Sequence, residues 1–271
     1  MLRLESRASP PPESGGIRPR MSTEAPGALV VPETFEVRLA SARLVTPRVR
    51  ELVFERFDAQ PFTFRSGQWV SLILPLLDEK ERPLRRSYSI ASVPSNGARF
   101  ELVVTKVDGG RGSTWLHELQ VGQTLEAKGP MGAFARADEA GPSLFVATGT
   151  GVAPFRGMVH DALARGSDTP LWMLFGVRTP HDALYREEFE ALGKAHPRFR
   201  FMLTMSRPPP GWSGRTGYVQ THVLELWKDL SALGRPEAYV CGVKKMLTEV
   251  QQALKTQGGA DRKQLHLERY D

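Results

Sequence analysis

The stretch Ser143-Leu-Phe-Val-Ala-Thr-Gly-Thr-Gly-Val-Ala-Pro154 decides the fold of the second half of this chain. Its first six residues contain the continuous apolar run Leu144–Ala147, which is typical of a buried parallel strand. Beyond Pro154 the apolar residues recur at helical spacing, from Phe155 to Leu163. A strand, a glycine-rich loop and a helix therefore follow one another, and this βα unit is the building block of doubly wound sheets.

The loop Gly149-Thr150-Gly151 lies where open α/β sheets bind ligands, at the carboxyl end of a strand. Two glycines let a pyrophosphate approach the backbone, and a proline suits the first turn of a helix. Pro154 replaces the third glycine of the usual dinucleotide fingerprint. The loop predicts nucleotide binding, and a tight structural βα turn is the alternative.

Strands and helices continue to alternate to the end of the chain. The predicted strands cover residues 171–175, 199–205, 238–241 and 264–269, and the predicted helices cover residues 184–192, 220–230 and 243–257. This alternation predicts a parallel, doubly wound sheet with helices on both faces. We assign it to residues 139–271.

Residues 34–138 have a different pattern, in which short β-branched and aromatic runs are separated by turn residues. The predicted strands cover residues 34–45, 49–56, 69–74, 87–91, 100–107 and 124–128. Such closely spaced strands predict a small antiparallel β-barrel. One helix, 113–119, follows a glycine-rich turn, and we expect Ser113 to be its N-cap. The N-terminus of that helix could hold a phosphate, or the segment is only a capped turn.

The barrel segment Arg86-Ser87-Tyr88-Ser89-Ile90-Ala91-Ser92 combines a cation, an aromatic ring and hydroxyl groups. In an extended strand Arg86 and Tyr88 share one face, while Ser87 and Ser89 share the other. This arrangement could hold a flat, anionic cofactor. For the segment alone, an ordinary half-buried strand is the alternative.

Charge and cysteine content limit the possible functions. The 271 residues carry a formal net charge of +6, and the estimated pI is about 9.6. The basic residues are dispersed and are not interleaved with aromatic residues, which argues against nucleic-acid binding and favours an anionic cofactor and an acidic protein partner. Cys241 is the only cysteine, so the chain has no internal disulfide, no four-cysteine zinc site and no iron–sulfur cluster of its own.

The N-terminal segment, residues 1–33, contains Pro10–Pro12 and Gly15-Gly16 but few apolar residues. We expect it to be a disordered tail, with Met21 as an alternative start of translation. The sequence has no run near the roughly 20 apolar residues that cross a bilayer and no apolar core of a secretory signal. The predicted location is the cytoplasm, and we expect a monomer.

Four motifs occur in a fixed order along the chain. They are Arg86-Ser87-Tyr88-Ser89, Gly112-Ser113-Thr114, Gly149–Pro154, and Cys241-Gly242-Val243 with Met246. Together they resemble the ferredoxin–NADP reductase superfamily over residues 34–271. The resemblance implies FAD on the barrel and NAD(P)H on the doubly wound domain. It also implies hydride transfer to the flavin, followed by transfer of single electrons to a separate acidic carrier such as ferredoxin or flavodoxin.

On the flavin side, the resemblance implies that Arg86 pairs with the FAD pyrophosphate, that Tyr88 packs on the isoalloxazine ring and that Ser89 hydrogen-bonds near flavin N5. Two further residues, Val104 and Lys106, are expected to line the ring or the ribityl chain. The resemblance also implies that Gly112, Ser113 and Thr114 supply hydrogen-bond donors to the pyrophosphate.

On the nicotinamide side, Thr150 resembles the loop residue that meets the nicotinamide, and Cys241 with Gly242 resembles the strand end that faces the flavin. We expect Cys241 to orient the reactants and not to act as a nucleophile; a small buried hydrophobic role is the alternative. Glu268 resembles an acidic residue that reaches the flavin edge and relays a proton, or it is a solvated carboxylate near a frayed end. Asp271 follows Tyr270, which departs from the family ending, and no stacking role is assigned to Tyr270.

A basic segment in the doubly wound domain bears on the choice between NADPH and NADH. Ser206 and Arg207, with Arg215 and Tyr218 downstream, resemble the pocket for the extra phosphate of NADPH. The same segment also resembles NADH-using relatives, and our prediction is NADPH. Two alternatives for the whole chain are an NADH-dependent reductase component of an oxygenase or cytochrome system and a reductase-like binding module without turnover.

Overall fold

The computed structural model describes residues 32–270, which contain two six-stranded sheets. The predicted tail lies almost entirely outside the described residues. Within the described range, no helix has the length and apolar character needed to cross a membrane.

The first sheet is antiparallel throughout. Its strands are β1 (Glu33–Thr46), β2 (Val49–Arg56), β3 (Trp69–Leu77), β4 (Pro83–Ser89), β5 (Arg99–Thr105) and β6 (Thr124–Met131), in the order β4-β3-β6-β1-β2-β5. The two edge strands approach each other where Ala91 N–H donates to Glu101 O at 2.8 Å. The sheet thus curls into the predicted barrel, and helix α1 (Arg111–Glu118) follows β5.

Alternate residues of the barrel strands form its core. Val37 and Leu39 on β1 and Phe54 on β2 are fully buried. The loop residue Phe62 packs its ring 4.7 Å from that of Phe100. Each such side chain contributes roughly 1.5–3 kcal/mol on burial.

Strand β4 differs from its prediction, residues 87–91, at both ends. It begins at Pro83 and ends at Ser89, because the ladder with β3 stops at the Trp69–Ser89 pair. A proline and exposed arginines are compatible with an edge strand, which has no neighbour on one side. The first half of β4 was missed because residues 85 and 86 are charged and break the apolar pattern that marks a strand.

The second sheet is parallel throughout. Its strands are β7 (Ser143–Thr148), β8 (Leu171–Val177), β9 (Phe199–Met205), β10 (Arg215–Thr216), β11 (Glu237–Gly242) and β12 (Leu265–Arg269), in the order β10-β9-β8-β7-β11-β12. The helices are α2 (Ala153–Ala164), α3 (Arg186–Ala195), α4 (Val223–Ser231) and α5 (Lys244–Thr256). Phe145 and Phe175 belong to one buried cluster, while Val146 and Leu174 belong to another. Alternate residues thus face two cores, and the doubly wound prediction is confirmed.

The two sheets share an apolar seam. Val49, Ala91 and Val103 of the barrel lie in the same buried cluster as Ala153 and Phe155 of α2. The seam therefore places the end of β4 against the helix that follows the glycine-rich loop.

Candidate active site

The crevice at the carboxyl ends of β7 and β11 is the topological switch point of the second sheet. From β7 the chain builds outward through β8, β9 and β10, and then returns to place β11 on the other side of β7. The ends of these two strands, Thr148 and Gly242, consequently lie side by side. Open α/β sheets bind ligands at this position.

The glycine-rich loop fits closely into this crevice. Residues 149–152 form one 3-10 turn that leads into α2, with half-buried Thr150 between the two glycines. A Cβ at Gly151 would lie 2.3 Å from Cys241 O, so the loop reaches β11 only because this residue has no side chain. Gly149 has a positive φ of 55° and open space where a Cβ would stand. The first glycine thus leaves room for a ligand, and the second fastens the loop to β11.

Gly242 completes the crevice from the side of β11. Its φ is +153°, and a Cβ there would lie 2.4 Å from Thr148 Oγ1 and 2.7 Å from Met246 Cε. Met246 therefore covers the end of β11, and its predicted part in cofactor binding stays a prediction. The Oγ1 of Thr148 is buried without a hydrogen-bond partner among the described residues.

Four side chains from distant segments converge at this crevice. Ser89 Oγ donates to Glu268 Oε1 at 2.6 Å. Tyr270 N–H donates to Gly242 O at 3.1 Å, and the Tyr270 side chain lies close to Ser89 and Cys241. The contact made by Tyr270 is one that the sequence did not predict. The structure thus brings together the three residues predicted to act in the chemistry, Ser89, Cys241 and Glu268, and adds a fourth.

Burial controls the protonation of these groups. It raises the pKa of the Cys241 thiol, and the nearby Glu268 raises it further, so the thiol stays neutral and is a poor nucleophile. Burial also raises the pKa of Glu268, although the hydrogen bond from Ser89 opposes the shift. Glu268 is therefore a partly buried carboxyl that keeps its proton to a higher pH than a fully solvated glutamate does.

Arg86 and Tyr88 flank the same strand end. The exposed Arg86 donates through Nη1 to Arg85 O at 2.7 Å, and a Cβ on Gly112 would lie 3.1 Å from Arg86 Cγ. The cation thus lies over the first turn of α1, and this combination suits a phosphate. Tyr88 packs against the barrel core, and burial raises its pKa to about 12.

The expected N-cap of α1 is wrong. The helix begins at Arg111, after Gly110 in extended conformation, and no side chain caps it. Ser113 Oγ instead donates to Gly110 O at 3.0 Å and accepts from Val107 N–H at 3.1 Å, which fixes the turn before the helix. Thr114 N–H donates to Gly110 O at 3.0 Å. The donors that the helix leaves for a phosphate are therefore the N–H groups of residues 111–113.

The two predicted contacts on β5 differ in outcome. Val104 is fully buried in the barrel core, so the prediction that its side chain lines the cofactor is wrong. Its carbonyl oxygen lies 2.8 Å from His117 Nε2. Lys106 follows the strand and is exposed, and its role stays a prediction.

A basic edge lies where β8 and β9 end. Ser206 N–H donates to Val177 O at 3.0 Å, and Arg207 N–H donates to Arg178 O at 2.8 Å. Two exposed arginines, 178 and 207, are thereby held side by side. The sequence reasoning missed Arg178; its signal was a cation directly after a buried strand.

Arg215 and Tyr218 have different environments. Arg215 donates through Nη1 and Nη2 to both carboxylate oxygens of Glu225, at 3.0 and 3.1 Å. It is therefore neutralised, and its expected place among the phosphate ligands is wrong. Tyr218 is 65% exposed and is available to cover a bound ring.

Comparison with known proteins identifies both halves of the chain. Residues 36–135 match the family model described as oxidoreductase FAD-binding domain, and residues 145–252 match the one described as oxidoreductase NAD-binding domain. The chain is 47% identical over 247 residues to ferredoxin–NADP reductase B of Sorangium cellulosum (strain So ce56), which covers 90% of this chain and 100% of that protein.

Other similar proteins come from electron-transfer systems. A ferredoxin–NAD(P)(+) reductase component of the naphthalene 1,2-dioxygenase/salicylate 5-hydroxylase systems of a Ralstonia species is 32% identical over 227 residues, which is 80% of this chain and 66% of that protein. Among solved structures, the Amycolatopsis cytochrome P450 reductase GcoB superposes with a TM-score of 0.77 at 26% identity, over 88% of this chain and 70% of that one.

Proposed function

This chain belongs to the ferredoxin–NADP reductase family of FAD- and NAD(P)-binding oxidoreductases, and on that premise we propose that it passes hydride from NAD(P)H, with NADPH preferred, to FAD and then single electrons to a separate carrier. The family and both cofactors predicted from the sequence are confirmed. One observation carries the proposal: Ser89 on the barrel is hydrogen-bonded to Glu268 of the second sheet, which pairs with Cys241 at the switch-point crevice. The proposed FAD site on the barrel is thus adjacent to the proposed NAD(P)H crevice of the second sheet.

The residues of the barrel fit FAD. Arg86 packs closely over Gly112, and the pair combines a guanidinium with the N-terminus of a helix, which suits a pyrophosphate. Tyr88 offers a half-buried ring at the same strand end. When bound there, FAD would supply the two-electron to one-electron conversion that nicotinamide chemistry lacks.

The polar residues at the border would orient the reactants and hold a proton. Ser89 is 5% exposed, and its hydroxyl is positioned by Glu268. Glu268, with its raised pKa, holds a proton to a higher pH than an exposed glutamate does and can exchange it through the Ser89 hydroxyl. The neutral Cys241 thiol beside Glu268 is fully buried and excludes water from the same space.

The preference for NADPH is supported by the basic edge. Arg178 and Arg207 are exposed neighbours, and a phosphate dianion is the ligand that complements two guanidinium groups. In an NADH-specific site a carboxylate that binds the free ribose hydroxyls would be expected at this edge.

An acidic one-electron carrier is the partner that the charges favour. Arg85, Arg86, Lys106 and Arg111 are exposed around the start of α1, and the chain as a whole is basic. The relative from Sorangium is named for ferredoxin, which supports ferredoxin as the carrier. A second candidate, a reductase component of an oxygenase or cytochrome system, is supported by the names of the Ralstonia and Amycolatopsis proteins.

We also retain three proposals from the sequence. The border between the domains lies near residues 138 and 139, which agrees with the gap between the two matched family models. A monomer can be checked by light scattering. A cytoplasmic location is supported by the single, buried cysteine, which suits a reducing compartment.

Stopped-flow reduction of the FAD-loaded protein by NADPH and by NADH tests the proposal. We expect reduction by both and a higher kcat/KM for NADPH. Subsequent addition of oxidised ferredoxin, flavodoxin or a cytochrome then ranks the acceptors. A protein that binds FAD but is reduced by neither nucleotide would be a binding module without turnover.

A further inference from the structure

Arg156 connects the two halves of the molecule through a single guanidinium group. It lies on α2, shortly after the glycine-rich loop. Its Nη1 donates to Glu101 Oε2 at 2.5 Å and to Ala91 O at 3.1 Å, both on the barrel. Its Nε donates to both carboxylate oxygens of Glu188 on α3, at 2.8 and 3.0 Å.

An aromatic ring and partial burial add to the hydrogen bonds that hold Arg156. Its guanidinium carbon lies 4.6 Å from the centre of the Tyr185 ring, which stacks below the cation. The side chain is 18% exposed. Burial lowers the pKa of Arg156, but the hydrogen bond to Glu188 and the charges of Glu188 and Glu101 outweigh this effect, and the net pKa is raised. The cation is therefore permanently charged and held by five hydrogen-bond and ring contacts.

The barrel partners of Arg156 lie where the segment after β4 meets β5: Ala91 belongs to that segment and Glu101 to β5. Ala91 is two residues beyond Ser89, and Ala91 N–H donates to Glu101 O at 2.8 Å. Glu101 N–H in turn donates to Ser92 Oγ at 3.1 Å. Displacement of Arg156 would thus loosen the end of β4 where Ser89 is located.

We propose that Arg156 is a positioning residue for hydride transfer, because it fixes the strand end that carries Ser89 against the helix that follows the nucleotide loop. The inference rests on the proposed function, since the groups that it aligns are the two cofactor sites. The apolar seam holds the halves together but has no directional preference. The hydrogen bonds of the planar guanidinium fork have fixed directions and so set the orientation of the strand end relative to α2, which a lysine cannot reproduce.

The test compares three variants with a matched control. Arg156→Ala removes the link, Arg156→Lys keeps the charge without the fork, and Glu101→Gln weakens the link from the barrel side with little change of volume. The control is Arg186→Ala, which breaks an ion pair within α3, to Glu190 at 2.7 Å, that does not reach the barrel.

We expect all three link variants to bind FAD normally, with a KM for NADPH within about twofold of wild type, and to be reduced roughly 10- to 100-fold more slowly at saturating NADPH. The visible circular dichroism of bound FAD should change with them. In the apoprotein, amide hydrogen exchange over residues 87–92 should accelerate. Arg186→Ala should match wild type in every measurement.

Other results overturn the proposal. Reduction rates of Arg156→Ala and Glu101→Gln within about twofold of wild type would show that the seam alone aligns the sites. Recovery of the full rate in Arg156→Lys would show that charge and not the fork matters. If neither nucleotide reduces the wild-type protein, the proposed function fails. Amide hydrogen exchange over residues 87–92 then still tests whether Arg156 orders the end of β4. Unchanged hydrogen exchange in the Arg156 variants would refute this role.

Discussion

Ser89 Oγ donates a 2.6 Å hydrogen bond to Glu268 Oε1 across 179 positions of sequence. One partner ends a barrel strand, and the other lies on the last strand of the second sheet. The hydroxyl and the carboxyl meet only when both halves are correctly folded and docked. This bond therefore reports on the assembly of the site as well as on its chemistry.

Replacement of Ser89 by Ala should slow reduction of the flavin by NADPH roughly 10- to 100-fold, because the oriented hydroxyl at the border of the two sites is lost. FAD content should remain unchanged, since the serine does not hold the pyrophosphate. Stopped-flow absorbance gives the rate, and Ser87→Ala, on the same strand but exposed, is the control. A rate equal to that of wild type would remove Ser89 from the chemistry.

The pH dependence of stability should reveal Glu268. Its pKa is raised above the ordinary 4.5, so the folded state holds the proton more tightly than the unfolded state does. The stabilisation from this protonated carboxyl is complete below pH 4.5 and is lost as the pH rises through the raised pKa. Glu268→Gln should therefore gain stability relative to wild type over that range, on the order of 1 kcal/mol.

Urea unfolding of the two apoproteins between pH 4 and pH 8, about one measurement per pH unit, checks this prediction. Glu36→Gln, at an exposed position of β1, is the control. A difference between Glu268→Gln and wild type that does not vary with pH would contradict the buried, protonated carboxyl.

Replacement of Arg86 by Ala should raise the dissociation constant for FAD roughly 10- to 100-fold, because a hydrogen bond to a charged group is worth about 1.5–3 kcal/mol. Fluorescence titration of the apoprotein with FAD gives the constant. The neighbouring Arg85→Ala should leave affinity nearly unchanged. Equal weakening in both variants would indicate a general charge effect and not a specific pyrophosphate contact.

Replacement of Arg178 or of Arg207 by Ala should raise the KM for NADPH about tenfold or more and leave the KM for NADH unchanged. The physical reason is that only NADPH carries the phosphate that these two cations would bind. Arg215→Ala is the matched control, because Glu225 already neutralises that cation. If both nucleotides were affected alike, the basic edge would have no part in discrimination.

The sequence predicted those parts of the molecule that local pattern determines. β7 and β9 were predicted at their observed limits, because continuous apolar runs mark buried strands. The glycine-rich loop was recognisable because the backbone conformation of the loop itself requires its glycines. Ser89, Cys241 and Glu268 lie together in the fold, and their roles in the chemistry stay predictions.

What the sequence did not reveal depends on contacts between distant segments. Ser113 has the composition of an N-cap, but its hydroxyl is already used by Val107 and Gly110. Arg215 has the charge of a phosphate ligand, but it is already paired with Glu225, which lies ten residues further along the chain. Arg156 follows the glycine-rich loop as an ordinary helical arginine, and its role appears only when Glu101 and Ala91 are seen in front of it.

Gly151 and Gly242 interlock the ends of β7 and β11 so tightly that neither tolerates a Cβ. The arginines proposed to bind the nucleotide phosphate lie instead just beyond the ends of β8 and β9, away from these two glycines. Coenzyme preference can therefore drift, or be engineered, by surface substitutions that leave the reacting centre intact. The residues proposed to choose the coenzyme are thus separate from the glycines that shape the reacting centre, so the former can vary while the latter are kept.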